Sequence, residues 1–276
     1  MNALALKVIY AIWLREFKTF SREKFRVIGM IGQPLLYLAI LGKGISSGMR
    51  LNSTGSIDYV KYMYPGVIGM SLLFTSIFSA LSIIWDREFG FLKEVLVAPV
   101  PRWAVSIGKT LGGATVAMVQ AIIMVVMAPL VGISLSVLLV VKLLMLAFLM
   151  SVAITSLGIV IASRMESMQS FQMVMNFMVM PLYFLSGAMF PMTTAPPVMK
   201  AFMMADPLTY GVDAIRHVVF SDTMVQIGNT TRPLVDVARE AGLIRFSMGW
   251  DIALMSAAAV ILAALGAWSF SKTQTA

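Results

Sequence analysis

Side chains able to do acid–base or metal chemistry are scarce in this 276-residue sequence, which has one histidine, His217, and no cysteine. Thiol nucleophiles, disulfide frameworks and Cys-ligated metals are excluded together. A Ser/His/Asp triad or a multi-histidine metal site lacks its minimum parts. His217 follows Arg216 and reads as a polar surface residue. With Asp213 it forms the acid/base pair that a lipid-modifying membrane enzyme would need. Gly108-Lys109-Thr110 ends like a phosphate-binding loop, but Trp103 stands where the motif needs its first glycine. No catalytic residue, metal ligand or cofactor site is therefore expected on this chain.

Two segments carry patterned polar residues. In the first, Asp86, Arg87 and Glu88 alternate in charge, and Leu92, Val95 and Leu96 follow on one helical face beside Lys93 and Glu94. Pro99 and Pro101 end that helix, because proline lacks a donor and clashes with the preceding turn. A charged knob with an apolar face suits docking to a partner; a turn resting on lipid fits the same pattern. In the second, Pro191 and Pro196-Pro197 interrupt the chain before two short amphipathic pieces, Val198 to Phe202 and Leu208 to Phe220. Asp213 and Arg216 are three apart and able to pair on a helix. Irregular backbone at membrane depth is tolerated only where protein or a water-filled cavity covers it; a surface-lying loop is the alternative.

The elements that must hold these segments follow from composition. The chain is 59% hydrophobic and 12% charged, with mean hydropathy +0.88, whereas globular chains run near about 25% charged. An ordinary water-soluble domain and a disordered chain are both excluded. Ionisable residues divide the sequence into six uncharged windows, 27–42, 62–85, 110–141, 143–163, 167–199 and 252–271. A span needs about 20 mostly apolar residues; five windows meet this, and the first does if Lys43 snorkels to the interface. The third window ends at Gly132 after Pro129, and the fifth at Pro191. The prediction is an all-α, polytopic membrane protein of six helices, folded as one domain over 1–276.

The net charge of +8 is read as membrane topology rather than nucleic-acid binding, because it is unevenly placed. One side collects Lys7, Arg15, Lys18, Arg22, Lys24, Arg26, Arg87, Lys93, Arg102, Lys109, Arg164 and Lys272; the short segments opposite hold Lys43, Arg50, Lys61 and Lys142. Both termini are therefore expected in the cytoplasm. The N-terminus, with apolar residues before its basic cluster, is not expected to be a cleaved signal. Over residues 1–26, Leu6, Ile9, Trp13, Phe17 and Phe20 form a stripe opposite Lys7, Arg15, Lys18, Arg22 and Arg26, which predicts a helix lying in the membrane interface. Gly108 and Gly112 make a small-xxx-small pair, a hint of oligomerisation.

Three stretches resemble the type-2 ABC exporter permeases, notably the drug-resistance and polysaccharide-export subunits. Arg87-Glu88-Phe89-Gly90-Phe91-Leu92-Lys93-Glu94-Val95-Leu96-Val97-Ala98-Pro99 is similar to that family's contact with its ATPase, with Lys93 in place of an acid and Phe91 in place of threonine. Pro181 to Pro191, containing Ser186-Gly187, resembles the segment before the family's outer loop. Asp206-Pro207-Leu208-Thr209-Tyr210-Gly211-Val212-Asp213-Ala214-Ile215-Arg216 is similar to its Asn-Pro-x-x-Tyr-x-x-Asp-x-x-Arg stretch. The resemblance covers residues 1 to about 220 and the last span; residues 223–247 match nothing.

The resemblance implies an ATPase-coupling segment at 86–103 using Arg87, Glu88, Gly90, Leu92, Glu94, Leu96 and Pro99. It also implies re-entrant helices in the outer loop 191–247, closing an exit with Ser186, Gly187, Pro207, Tyr210, Asp213 and Arg216. The implied function is ATP-driven export of a hydrophobic drug or natural product across the cell membrane, with lipid-linked polysaccharide as alternative cargo and an ATP-independent transporter or channel as the remaining reading. ATP and Mg would sit on a separate ABC ATPase subunit. The other implied partners are a second copy or related permease and the lipid bilayer, not nucleic acid.

Overall fold

The computed structural model describes residues 3–46, 59–91, 97, 100–189, 192–227 and 230–272. The chain begins with α1 (Ala3–Arg22), α2 (Lys24–Ser46), α3 (Tyr59–Ser79) and α4 (Leu81–Glu88). Further along the chain come α5 (Arg102–Met127), a 3-10 turn (Ala128–Val131), α6 (Val137–Ala162) and α7 (Met168–Leu185). The remaining elements are α8 (Pro197–Ala205), α9 (Pro207–Ser221), β1 (Met224–Ile227), β2 (Thr230–Pro233), α10 (Leu234–Glu240) and α11 (Met248–Ser271).

Among the described residues, Met63–Glu88, Arg102–Val131, Val137–Ala162 and Met248–Ser271 are long and apolar enough to cross a membrane. These coincide with the second, third, fourth and sixth predicted windows, and α2 and α7 occupy the first and fifth. Their ends are set locally. Gly132 takes φ 73° after the 3-10 turn, a left-handed conformation that favours glycine, and stops the third window where expected. Ser136, Ser167 and Ser247 cap α6, α7 and α11 by accepting the backbone N–H of Leu139 (3.1 Å), Ser170 (3.2 Å) and Trp250 (3.4 Å). The fifth helix, however, ends at Leu185 with Ser186 as its C-cap, not at Pro191. Pro181 lies inside α7, and the left-handed turn falls at Gly187, φ 72°.

Packing is close because small residues line the crossings. A Cβ at Gly113 of α5 would stand 2.6 Å from Thr155 of α6, and one at Gly158 of α6 would stand 2.9 Å from Ala80. Ile68, Leu72, Leu73 and Ile77 of α3 form the middle of the core with Ala121 and Met124 of α5. Outward faces remain apolar: Val126 is 70% exposed, Phe177 80% and Val260 70%. Such a surface suits lipid rather than water. Among the described residues, the all-α prediction misses the antiparallel pair β1–β2, in register Ile227↔Thr230, between α9 and α10.

The N-terminal segment forms a helix over Ala3–Arg22, one face of which packs on the protein. Ala5, Ile12 and Phe20 are buried, while Leu6 and Phe17 stay exposed. Gly108 and Gly112 of α5 set this choice: a Cβ at either would come within 2.8 Å of Ile12 Cβ or 2.6 Å of Glu16 Cβ. The small-xxx-small pair therefore seats α1 within the same chain instead of a second copy.

Candidate functional site

At one end of the helical body α1, α4 and α5 meet around a buried charge cluster. Lys109, about two turns into α5, is 3% exposed at its side chain. Its ammonium donates to Glu16 Oε1 at 2.6 Å, Ser82 Oγ at 3.1 Å and the Ser82 carbonyl at 3.3 Å, and it also donates to Asp86. Asp86 is gripped from the other side by Arg15, at 2.9 Å and 2.5 Å through both guanidinium nitrogens. This fork geometry is the strong form of a carboxylate pair. The bond to Asp86 raises the Arg15 guanidinium above its ordinary value, and Arg15 also covers the Phe91 ring at 3.7 Å. Lys109 is thus a buried structural cation, not part of a phosphate-binding loop.

The first two predicted coupling residues turn inward. Arg87 donates to the carbonyls of Ser163 (3.1 Å) and Met165, and Glu88 accepts the N–H of Met168 at 3.2 Å. Residues 86–88 are therefore tied to α1, α5 and the α6–α7 connection together. Gly90 takes φ 81°, where the chain turns out of α4. Leu92, Glu94, Leu96 and Pro99 lie outside the described residues. Beside the cluster lies a cavity of about 380 Å³, lined by Phe78, Leu81 and Phe89 and by the charged Arg15, Glu16 and Arg26.

At the opposite end the chain folds back through α8 and α9. Pro207 occupies the first turn of α9, where its missing N–H costs nothing, and Asp206 caps it by accepting the Leu208 N–H at 2.9 Å. Burial pushes the Asp206 carboxyl up to about 7. Ser186 donates to the Tyr183 carbonyl at 2.6 Å, and Tyr210 donates to the Met204 carbonyl at 2.6 Å. Arg216 reaches the carbonyls of Leu243 (2.9 Å) and Gly187 (3.1 Å) and stands 3.9 Å from Asp213. The predicted outer residues Ser186, Gly187, Asp213 and Arg216 are therefore brought together, with Pro207 and Tyr210 on the same helix.

His217, read from sequence as a surface residue, is buried at 7% exposure and bonded to the Phe246 carbonyl at 2.8 Å. The 242–246 strap, which matched no pattern, closes over α9 and covers most of its surface. Sequence reasoning also missed Asp86 as the hub of the charge cluster, Glu16 and Lys109 as its partners, and Asp251. The usable signal for Lys109 was a lysine at the edge of an otherwise uncharged window, which needs a nearby anion.

Residues 7–220 match the family described as ABC-2 type transporter. Among curated relatives, the chain is 28% identical over 214 residues to "Putative transport permease ycf38" of Cyanophora paradoxa, covering 76% of this chain and 73% of that protein. It is 24% identical over 237 residues to "Nodulation protein J" of Rhizobium leguminosarum bv. trifolii, covering 85% and 86%. It is 25% identical over 204 residues to "Probable multidrug ABC transporter permease YbhR" of Escherichia coli (strain K12), covering 70% of this chain and 53% of that one.

Proposed function

The chain belongs to the ABC-2 type transporter family, and from that premise we propose that it is the membrane subunit of an exporter driven by a separate ABC ATPase. In this reading α2 and α7 complete six spans, both termini are cytoplasmic, and residues 1–276 form a single permease domain in the cell membrane. α8 and α9 act as re-entrant helices that close the outer end. The observation that carries the reading is Asp86, held between Arg15 of α1 and Lys109 of α5. A push delivered by the ATPase on the 86–103 segment then moves α1, α4 and α5 as one unit, because buried ion pairs resist separation. Arg87 and Glu88 carry the same movement to the α6–α7 connection.

Six helices in one chain do not enclose a broad path, so the working unit is a pair of permeases, this chain with a copy or a related subunit. The cargo is a hydrophobic or amphiphilic compound. Support comes from the cavity whose lining pairs aromatic rings with arginines and from the relative named as a multidrug permease. ATP and Mg belong to the partner chain, and the adaptable, methionine-rich interior tolerates varied shapes. The test places a cysteine at Val97, which is 85% exposed, and cross-links it to the ATPase subunit with and without ATP. A change in cross-linking supports the mechanism; identical cross-linking in both states contradicts it. Substrate-stimulated ATP hydrolysis in proteoliposomes, compared between hydrophobic drugs and lipid-linked glycans, decides the cargo class.

A further inference from the structure

Asp213 and His217 are four residues apart on α9 and so share one of its faces. Asp251 of α11 approaches them from across the interface. The ligating atoms of the three side chains lie within 4.8 Å of one another, and all three residues are buried. Two observations separate this trio from a chance gathering of acids. Asp251 has no exposed surface, and neither of its carboxylate oxygens has a hydrogen-bond partner, although buried carboxylates are normally paired or bound to a metal. It stands in the first turn of α11, on the side of that helix packed against α9.

The second observation concerns the other two residues, which are already oriented. Asp213 Oδ2 accepts the backbone N–H groups of Arg245 (3.2 Å) and Phe246 (3.0 Å). His217 Nε2 bonds the Phe246 carbonyl at 2.8 Å. A carbonyl only accepts, so Nε2 carries the proton and the lone pair is left on Nδ1. Ligating histidines ordinarily donate their second N–H to a carbonyl or carboxylate in this way.

We propose that Asp213, His217 and Asp251 bind one divalent transition-metal ion that braces α9 against α11. One imidazole and two carboxylates form a borderline donor set suited to zinc, with a fourth position left open. Zinc holds such donors at about 2.0–2.2 Å, so binding draws the three side chains slightly closer. Arg216, 3.9 Å from Asp213 Oδ1, offsets part of the Asp213 charge and leaves the remainder for the ion. The proposal is independent of the ATPase reading, because it concerns a buried brace and not the coupling end.

The test uses the full-length protein, purified in detergent, stripped with a chelator and titrated with Zn²⁺ against a chromophoric competitor. One equivalent per chain is expected, with a higher melting temperature in the presence of zinc. Asp251→Asn and His217→Ala should each weaken binding at least tenfold, because loss of a supporting hydrogen bond alone already costs about that much. Cobalt in the wild-type protein should give visible d–d absorption at one equivalent, a readout that does not depend on the variants folding. No stoichiometric uptake of zinc or cobalt by the wild-type protein overturns the proposal. So does uptake that survives in the Asp251→Asn/His217→Ala double variant.

Discussion

At the end where α1, α4 and α5 meet, Lys109 is 3% exposed and surrounded by Glu16, Asp86 and Ser82. At the other end Asp251 is fully buried and neither of its oxygens is bonded. The same low-dielectric interior thus holds one charge cluster that is closed within the protein and one that is left open. A closed network is a mechanical link, because its members cannot separate without exposing a naked charge. An open one is a place to take up a proton or a cation.

Removing one member of the closed cluster should have the largest effect. Lys109→Met keeps the length of the side chain but takes the close cation from Glu16 and leaves Asp86 to Arg15 alone. Breaking a buried pair from one side costs about 3–5 kcal/mol, so a large fall in melting temperature in detergent is expected, with loss of transport. If Lys109→Met melts like the wild type, the cluster is not the link described here.

Close packing gives the next comparison. At Gly66 a Cβ would meet the Ala188 carbonyl oxygen at 2.7 Å, a backbone atom, whereas at Gly112 it would meet the Glu16 side chain at 2.6 Å. Gly66→Ala should cost about 1–3 kcal/mol as an overpacked contact. Gly112→Ala should cost less in stability, because α1 can shift outward, yet it should loosen the grip on Lys109. Thermal unfolding of the two variants ranks them, and a larger loss in Gly112→Ala would reverse the comparison.

The open end predicts a pH effect. Asp206, pushed up to about 7 by burial, binds a proton in the folded state at pH values where the unfolded state, with the ordinary value of 3.8, has lost it. The native state binds more protons in that window, so Asp206 makes stability fall as pH rises from about 4 to about 7. Above that, the full penalty remains. Asp206→Asn preserves a capping side chain and should remove this slope, raising stability at pH 8 by on the order of 2 kcal/mol. Melting temperatures of both proteins across pH 5–8 check it; parallel curves would rule it out. The smallest effect is expected for Ser136→Ala, which deletes the α6 cap and should cost about 1 kcal/mol. The same thermal melts resolve it.

Much of the fold was legible because length and apolarity report a membrane span directly. Windows free of charge located α3, α5, α6 and α11, and Gly132 marked a helix end by local chemistry. What stayed hidden is tertiary. Arg15 and Asp86 are 71 residues apart, so no periodicity links them, and Ile12 and Glu16 sit against α5 where Gly108 and Gly112 make room for them. The hairpin was missed although Gly228-Asn229, between the paired Ile227 and Thr230, is a two-residue turn signal. Around α9 the Asp213–Arg216 spacing was readable, but the burial of His217 depends on the 242–246 strap, and Asp251 on a helix that begins 31 residues after His217.

The most direct test of the coupling account is Asp86→Asn, reconstituted with the ATPase subunit and assayed for substrate transport and ATP hydrolysis side by side. Asn keeps the shape and releases both Arg15 and Lys109 from their shared anion. The account predicts that transport falls at least tenfold while basal ATP hydrolysis by the partner continues. Wild-type transport in a properly assembled Asp86→Asn complex would contradict it.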